Sequence, residues 1–268
     1  MIASFRMYNA VPAAAAAWRA LFERVFDEIG AGVQIVEHAA PAPLAALWED
    51  DRLACAFMCG WPFVRSGRAM QPIAAPVPSP PRYAHLPRYC SEFLVREGTG
   101  WTRIEETFGS RFGWTAADSQ SGFNAPRAFL AGHVDASRPS LYREVRGPLG
   151  APMKALEGLK AGDVDVIALD SYFLDLCRHH EPRRMSGLRT IAATPWTPIP
   201  LLVAAPQAQA SLVARLRDRL VTLHESPGLA PLLANVIVER FVPPEVSSYR
   251  ALDDMAAFAA SRGYEAIR

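Results

Sequence analysis

The run Leu53-Ala54-Cys55-Ala56-Phe57-Met58-Cys59 carries no charge and no proline, and it constrains the fold more than any other stretch of the chain. It is too short to cross a membrane and fits a strand buried on both faces. Such a strand needs covering helices, and the flanking sequence supplies them. An extended segment, Ile2 to Met7, precedes a helical one from about Ala13 to Ile29, opened by Pro12 and closed by Gly30 and Gly32. A second strand over Val33 to Glu37 and the segment Pro43 to Asp50 then lead into the apolar run. Strand, helix, strand is the alternation of a parallel sheet covered by helices.

The alternation resumes further along: strand Phe112 to Ala116, helix to Leu130, strand Leu141 to Val145, helix Pro152 to Lys160, strand Val164 to Leu169, helix Ser171 to His180, strand Leu188 to Ala193. Between the two series, Gln71 to Pro87 is dense in proline, which favours extended edge structure and turns. Tyr89 to Arg96 reads as a strand, and Gly98-Thr99-Gly100 leads into a short helix holding Ile104-Glu105-Glu106. After the extended Leu201 to Ala205 come helical stretches at Ala208 to Glu225, Leu229 to Val236 and Tyr249 to Arg262, which bring too few strands for a third domain. The expected organisation is therefore α/β with two lobes: residues 1–90 and 200–268 form lobe I, and 91–199 form lobe II. Two extended crossings, near Tyr89 to Val95 and Ile199 to Ala204, would serve as a hinge.

Charge excludes several partners. With 28 Lys+Arg against 27 Asp+Glu, the formal net charge is +1, so neither nucleic acid nor an anionic membrane is held by bulk charge, and any anion must be gripped locally. No apolar run reaches the ~18 residues of a membrane span, and the chain reads as soluble, a monomer or weak dimer. The start, Met1-Ile2-Ala3-Ser4-Phe5-Arg6-Met7, lacks a basic stretch followed by an apolar one, so the chain as written reads as cytoplasmic, or periplasmic if trimmed. Cys55, Cys59, Cys90 and Cys177 match neither a zinc ribbon nor a small disulfide framework and read as reduced core thiols. Cys177-Arg178-His179-His180 falls at a helix end, where cations suit the dipole better than a metal would. No metal and no cofactor are expected. Neither a Gly-x-Ser-x-Gly elbow nor a Gly-x-x-x-x-Gly-Lys phosphate loop is present, which removes support for a serine hydrolase or a nucleotide hydrolase.

Two segments carry chemistry. In Trp114-Thr115-Ala116-Ala117-Asp118-Ser119-Gln120-Ser121-Gly122-Phe123-Asn124-Ala125-Pro126 a strand ends in small hydroxyl residues and glycine before a helix. The first amides of a helix lack intrahelical acceptors and carry partial positive charge, so an anion suits them. Ser119 and Ser121 add hydroxyl donors, Gly122 lets a ligand approach the backbone, and Pro126 ties the helix start to this region. The plainer alternative is that Ser121 or Asn124 is only an N-cap. In Val164-Asp165-Val166-Ile167-Ala168-Leu169-Asp170-Ser171-Tyr172, Asp170 closes an apolar strand before a helix, the place where open parallel sheets bind ligands. It either caps the helix or accepts a hydrogen bond from a P–OH or an ammonium group.

With those residues in view, the chain resembles the phosphate, phosphite and phosphonate binding proteins of ABC transporters, which have the type II periplasmic binding protein fold. The resemblance rests on Met7-Tyr8-Asn9, Cys59-Gly60-Trp61-Pro62, Tyr89-Cys90-Ser91, Asp118-Ser119-Gln120-Ser121-Gly122 and Ala168-Leu169-Asp170-Ser171, in that order along nearly the whole chain. It implies that Ser119, Gln120, Ser121 and Gly122 grip phosphonate oxygens, that Tyr8, Trp61 and Tyr89 close over the ligand in an interlobe cleft, that Asp170 contacts it with Ser171 and Tyr172 alongside, and that a permease is the partner. Where family members often carry Gly-Ser-His, this chain has Gly147-Pro148-Leu149-Gly150, which implies a missing polar contact. Two further readings on the same fold are a cytoplasmic enzyme similar to chorismate dehydratase, with Asp170 or Ser119 moving a proton, and a ligand sensor that works through a separate partner.

Overall fold

The computed structural model describes residues 1–40 and 42–268. In chain order its strands and helices are β1 (Ile2–Ser4), α1 (Pro12–Glu28), β2 (Gln34–Ile35), α2 (Leu44–Trp48), β3 (Leu53–Met58), α3 (Gly60–Arg65), β4 (Gln71–Pro78), β5 (Arg88–Tyr89), β6 (Ser91–Arg96) and β7 (Arg111–Gly113). A π-helical turn over Gln120–Asn124 runs directly into α4 (Ala125–Ala131). Then follow β8 (Glu144–Arg146), α5 (Pro152–Ala161), β9 (Val166–Asp170), α6 (Ser171–His180), β10 (Leu188–Ala193), β11 (Thr197–Pro198), β12 (Leu201–Ala204), α7 (Ala210–Val221), α8 (Ala230–Asn235), β13 (Val238–Val242) and α9 (Ala251–Ser261). The chain divides into two compact units, Met1–Arg88 with Pro198–Ser248, and Tyr89–Thr197 with Tyr249–Arg268.

Unit 1 is built on a six-stranded sheet of order β13-β4-β12-β3-β1-β2. β1 pairs in parallel with β2 and β3, while β12 and β13 run antiparallel to their neighbours. The uncharged run becomes β3 and is buried along its whole length, as its composition requires. Helix α1 buries Ala14, Ala17, Trp18, Leu21, Phe22, Val25 and Phe26, a three-and-four spacing that lays one stripe on the sheet. There Phe5 stacks on Phe22 at 4.0 Å, and Trp18 meets Phe57 edge-on at 5.0 Å. The indole of Trp48 donates to the Phe57 carbonyl at 2.9 Å and pins α2 to β3.

The proline-rich segment departs from expectation. β4 lies inside the sheet between β13 and β12 and is buried from Ile73 to Pro78. Prolines are tolerated there because both flanking ladders shift register, between Leu202 and Val203 and between Val238 and Arg240, where regular pairing is already interrupted. β13 pairs there although Val238-Glu239-Arg240-Phe241-Val242 carries too short an apolar pattern to mark a strand by itself.

Unit 2 has a five-stranded sheet of order β10-β6-β9-β7-β8, with β7 parallel to β8 and β9, and β6 antiparallel to β9 and β10. It repeats the plan of unit 1: β7, β8 and β9 occupy the places of β1, β2 and β3, and β6 stands beside β9 as β12 stands beside β3. At the end where β7 and β9 begin, Asp165 is clamped. Its carboxylate accepts from Arg96 at 2.8 Å and from the Arg111 side chain twice at 2.9 Å, and the Arg111 amide adds a bond at 3.1 Å. The Arg111 hydrogen bonds, with those of Arg96 behind them, hold this carboxyl well below the usual range despite its burial.

A depressed pKa stabilises the fold at any pH above the unfolded value and is lost as protons are forced onto the carboxylate. Asp165→Asn is therefore expected to destabilise unit 2 by about 2 kcal/mol at neutral pH. The gap to wild type should narrow as melts are taken from about pH 4 down to pH 2; a gap constant across those melts would refute the assignment.

The C-terminus corrects a second expectation. Residues from Tyr249 onward pack in unit 2, so the chain crosses three times rather than twice and 249–268 do not return to the first lobe. The cause is apolar: Ala259, Tyr264 and Ile267 enter the unit 2 core with Phe93, Phe112 and Leu130. The amide of Leu141 then donates to the last carbonyl, Arg268, at 2.7 Å.

All four cysteines are buried free thiols; burial pushes Cys55 well above the normal thiol range and Cys177 up to about 12. Cys177 faces inward while His179 is exposed, so the Cys-Arg-His-His run presents no shared face. Among the described residues no helix is long and apolar enough to cross a membrane.

Candidate functional site

In each unit the central parallel strand has a neighbour reached by the next crossover on one side and by the following crossover on the other, which makes β1/β3 and β7/β9 the switch points where open α/β sheets take ligands at strand C-termini. In unit 1 that edge carries the 3₁₀ turn Arg6–Tyr8 after β1 and helix α3 after β3. In unit 2 it carries the Ser119–Asn124 turn after β7 and Asp170 at the tip of β9, and the turn packs against β9. β6 starts at the same edge, with Ser91 opposite Asp170.

The turn is organised around Ser119. Ser119 caps the π turn: its Oγ accepts from the Gly122 amide at 2.9 Å, and its carbonyl accepts from the Asn124 amide at 2.9 Å, the wide spacing of such a turn, while Asn124, at the N-cap position of α4, makes no capping side-chain bond. Ser119 and Ser121 are half-buried. Neither the amide nor the hydroxyl of Ser121 has a hydrogen-bond partner among the described residues. The Ser119 hydroxyl, already accepting one bond, is polarised to donate its own proton. The turn thus offers two hydroxyl donors and one amide, backed by the positive end of the helix that continues through α4.

Gly122 plays a different part from the one the sequence suggested. Its amide is taken by Ser119 Oγ. A Cβ added there would be in hard contact with Thr115 Oγ1 and 3.0 Å from both Thr115 Cβ and Ser119 Oγ. The missing side chain makes room for Thr115, so Gly122 is a packing requirement of the turn and not a free amide.

Gln120 is fully buried. Its Oε1 accepts from Asn124 Nδ2 at 2.8 Å and its Nε2 donates to Met255 Sδ at 3.3 Å, so its side chain holds the turn to α9. Asn124 continues this network, donating to the Leu252 carbonyl at 2.9 Å and accepting from Arg127 Nη2 at 2.9 Å. Arg127 in turn donates to the Glu265 carbonyl at 2.7 Å.

Asp170 realises the capping alternative: one carboxylate oxygen accepts from the amides of Tyr172 at 2.7 Å and Phe173 at 3.0 Å. Ser171 is fully buried and exchanges two bonds with Cys90: its amide donates to the Cys90 carbonyl at 2.9 Å and its Oγ accepts from the Cys90 amide at 3.1 Å. Tyr172 is also fully buried.

The three aromatic residues expected over a ligand are buried as well. Tyr8 packs edge-on against Phe57 at 4.9 Å. Trp61 lies on α3 with the Arg65 guanidinium 5.0 Å from its ring centre. Tyr89 belongs to a crossing strand, its carbonyl reached by the Thr197 hydroxyl at 3.5 Å. Gly147-Pro148-Leu149-Gly150 extends the sheet edge beside the turn: Leu149 and Gly150 donate to the carbonyls of Trp114 and Thr115 at 3.0 and 2.8 Å. Trp114 lies over Gly147, where any Cβ would strike its ring, and within 5.1 Å of Phe123. The departure from Gly-Ser-His therefore stands next to the hydroxyl turn, as an apolar wall.

The binding protein component of an ABC phosphonate transporter from Pseudomonas aeruginosa superposes with a TM-score of 0.82 at 15% identity, over 98% of this chain and 87% of that one. PhnD1 from Prochlorococcus marinus in complex with methylphosphonate gives 0.78 at 17% identity over 96% of each chain. MatC from Rhodopseudomonas palustris with bound malate gives 0.61 at 12% over 98% of each chain, so the fold alone does not name the anion. No curated protein sequence matches this one. The family model described as "ABC transporter, phosphonate, periplasmic substrate-binding protein" matches residues 8–249. Its members are binding proteins, which leaves the enzyme reading of the fold without support, and the chain belongs to this family of phosphonate substrate-binding proteins of ABC transporters.

Proposed function

We propose that the chain captures a small phosphonate, or a closely related phosphite or phosphate, at the Ser119–Gly122 turn of unit 2 and presents it to the permease of an ABC uptake system. The observation that carries the reading is Ser121: an amide and a hydroxyl of one residue, both without hydrogen-bond partners among the described residues, beside the polarised hydroxyl of Ser119 and on the end of a helix. A tetrahedral oxoanion is the ligand whose geometry uses several such donors at once.

Asp170, at the tip of the adjacent strand, accepts a hydrogen bond from a P–OH or an ammonium substituent; hydroxyl donors together with a carboxylate acceptor suit an anion that still carries one proton. The apolar wall of Trp114 and the 147–150 segment favours a short carbon substituent over a polar tail. Trp61 and Tyr8 follow β3 and β1 at the switch point of unit 1, and with Tyr89 they are assigned to the ligand on the resemblance alone.

The test is calorimetric titration of methylphosphonate, phosphite and phosphate into wild type and Ser121→Ala. At least one anion should bind wild type, and the variant should lose about tenfold or more in affinity, the worth of a hydrogen bond to a charged group. Silence from all three anions, or an unchanged Ser121→Ala affinity, overturns the reading.

A further inference from the structure

Thr115 lies two residues beyond the end of β7, and its side chain is 4% exposed. Its backbone carbonyl is occupied by Gly150, yet its hydroxyl has no hydrogen-bond partner among the described residues. The hydroxyl oxygen itself is not fully enclosed, and a donor left open at a ligand-binding strand edge is available to a partner from outside the chain. Its position agrees: the vacant Cβ site of Gly122 is in hard contact with Thr115 Oγ1 and 3.0 Å from Ser119 Oγ, so the two hydroxyls flank one point in space.

We propose that Thr115 supplies a third hydroxyl to the oxoanion cradle, completing a set with Ser119 and Ser121. The inference rests on the phosphonate reading above and adds to it a ligand-contacting residue that the local sequence pattern does not mark. Being β-branched and enclosed, Thr115 has few rotamers open to it, so its hydroxyl is aimed before the ligand arrives. The arrangement also explains why position 122 must be glycine: any side chain there would displace the third donor.

The test compares Thr115→Val, Thr115→Ala and Thr115→Ser with wild type and Ser121→Ala, titrating methylphosphonate and recording melting temperature. Valine and alanine should each weaken binding by about tenfold while serine, which keeps the hydroxyl, stays within about twofold of wild type. The melting temperature of the valine variant should hold, because it keeps the side-chain shape and loses no intramolecular bond, while alanine should lower it slightly by removing a buried methyl group. If Thr115→Val and Thr115→Ala bind as wild type while Ser121→Ala is weakened, Thr115 has no contact with the ligand and the cradle is Ser119 and Ser121 alone. If serine fails to rescue, the side chain acts through packing and the proposal falls. A wild type that binds none of the anions removes this inference together with the reading beneath it.

Discussion

Gly122→Ala is expected to lose about a hundredfold in methylphosphonate affinity and to lower the stability of unit 2 by roughly 1–3 kcal/mol, the range for overpacking a closed site. Backbone conformation is not the cause, since Gly122 is absent from the positive-φ glycines and its backbone is open to any residue. Space is the cause. The new methyl group would overlap Thr115 Oγ1 and press on Thr115 Cβ and Ser119 Oγ. Thr115 is enclosed and cannot swing into solvent, so the turn itself must move, and with it the Gly122–Ser119 bond that aims the Ser119 hydroxyl. A second substitution checks this account: Thr115→Ala in the Gly122→Ala chain removes the worst overlap and should restore most of the lost stability, though not the affinity that Thr115 itself provides. Calorimetry and thermal melts of the two chains decide it; a Gly122→Ala chain that binds and melts as wild type means the turn is not packed as described.

The second large effect is expected at Asn124. Replacing it by leucine keeps the branching of the side chain but strips the Gln120 side-chain oxygen, the Leu252 carbonyl and the Arg127 guanidinium of a partner at once, all inside unit 2. Buried groups left unsatisfied cost about 1–3 kcal/mol each, and the shared site keeps the total near 3–5 kcal/mol. At about 2–4 °C per kcal/mol, the melting temperature should drop by roughly 10 °C. Anion affinity should fall as well, although Asn124 is fully buried, because the network is what ties the Gln120–Asn124 turn to α9 and the C-terminal tail. Asn124→Asp, which keeps the acceptor for Arg127 and loses the two donated bonds, should fall between leucine and wild type. A leucine variant within 2 °C of wild type, on a scale of about 2–4 °C per kcal/mol, would show that the network carries little of the stability.

How far the sequence could be read depended on the range of the interactions involved. The parallel strand pairs around β1 and β7, helices α1, α5 and α6, and the place of the hydroxyl turn after β7 all follow from local patterns, whereas the antiparallel pairings that complete each sheet do not: apolar runs, three-and-four spacing and a proline at a helix start speak only of neighbours in sequence. The family resemblance likewise rests on short segments in order. What escaped was settled by contacts distant in sequence. β4 reads as an edge because prolines interrupt ladders, but the register shifts in β12 and β13 that accommodate them lie more than a hundred residues away. The tail from Tyr249 joins unit 2 because Ala259, Tyr264 and Ile267 fill a core whose other buried members lie between residues 93 and 168.

The same division holds within the site. Residue types alone determine that a string of small hydroxyls before a helix suits an anion, since helix amides and hydroxyls donate wherever they are placed. They do not determine which donors remain open. Ser119 caps the turn as an acceptor and keeps its proton to donate, Gln120 and Ser171 are buried, Gly122 yields its space to Thr115, and Thr115 keeps a hydroxyl without a partner among the described residues, which nothing in its neighbours along the chain announces. Whether a polar group is satisfied by the protein or left for a ligand is a property of the packed molecule, because each hydrogen-bonding atom takes the nearest partner in space and not the nearest in sequence.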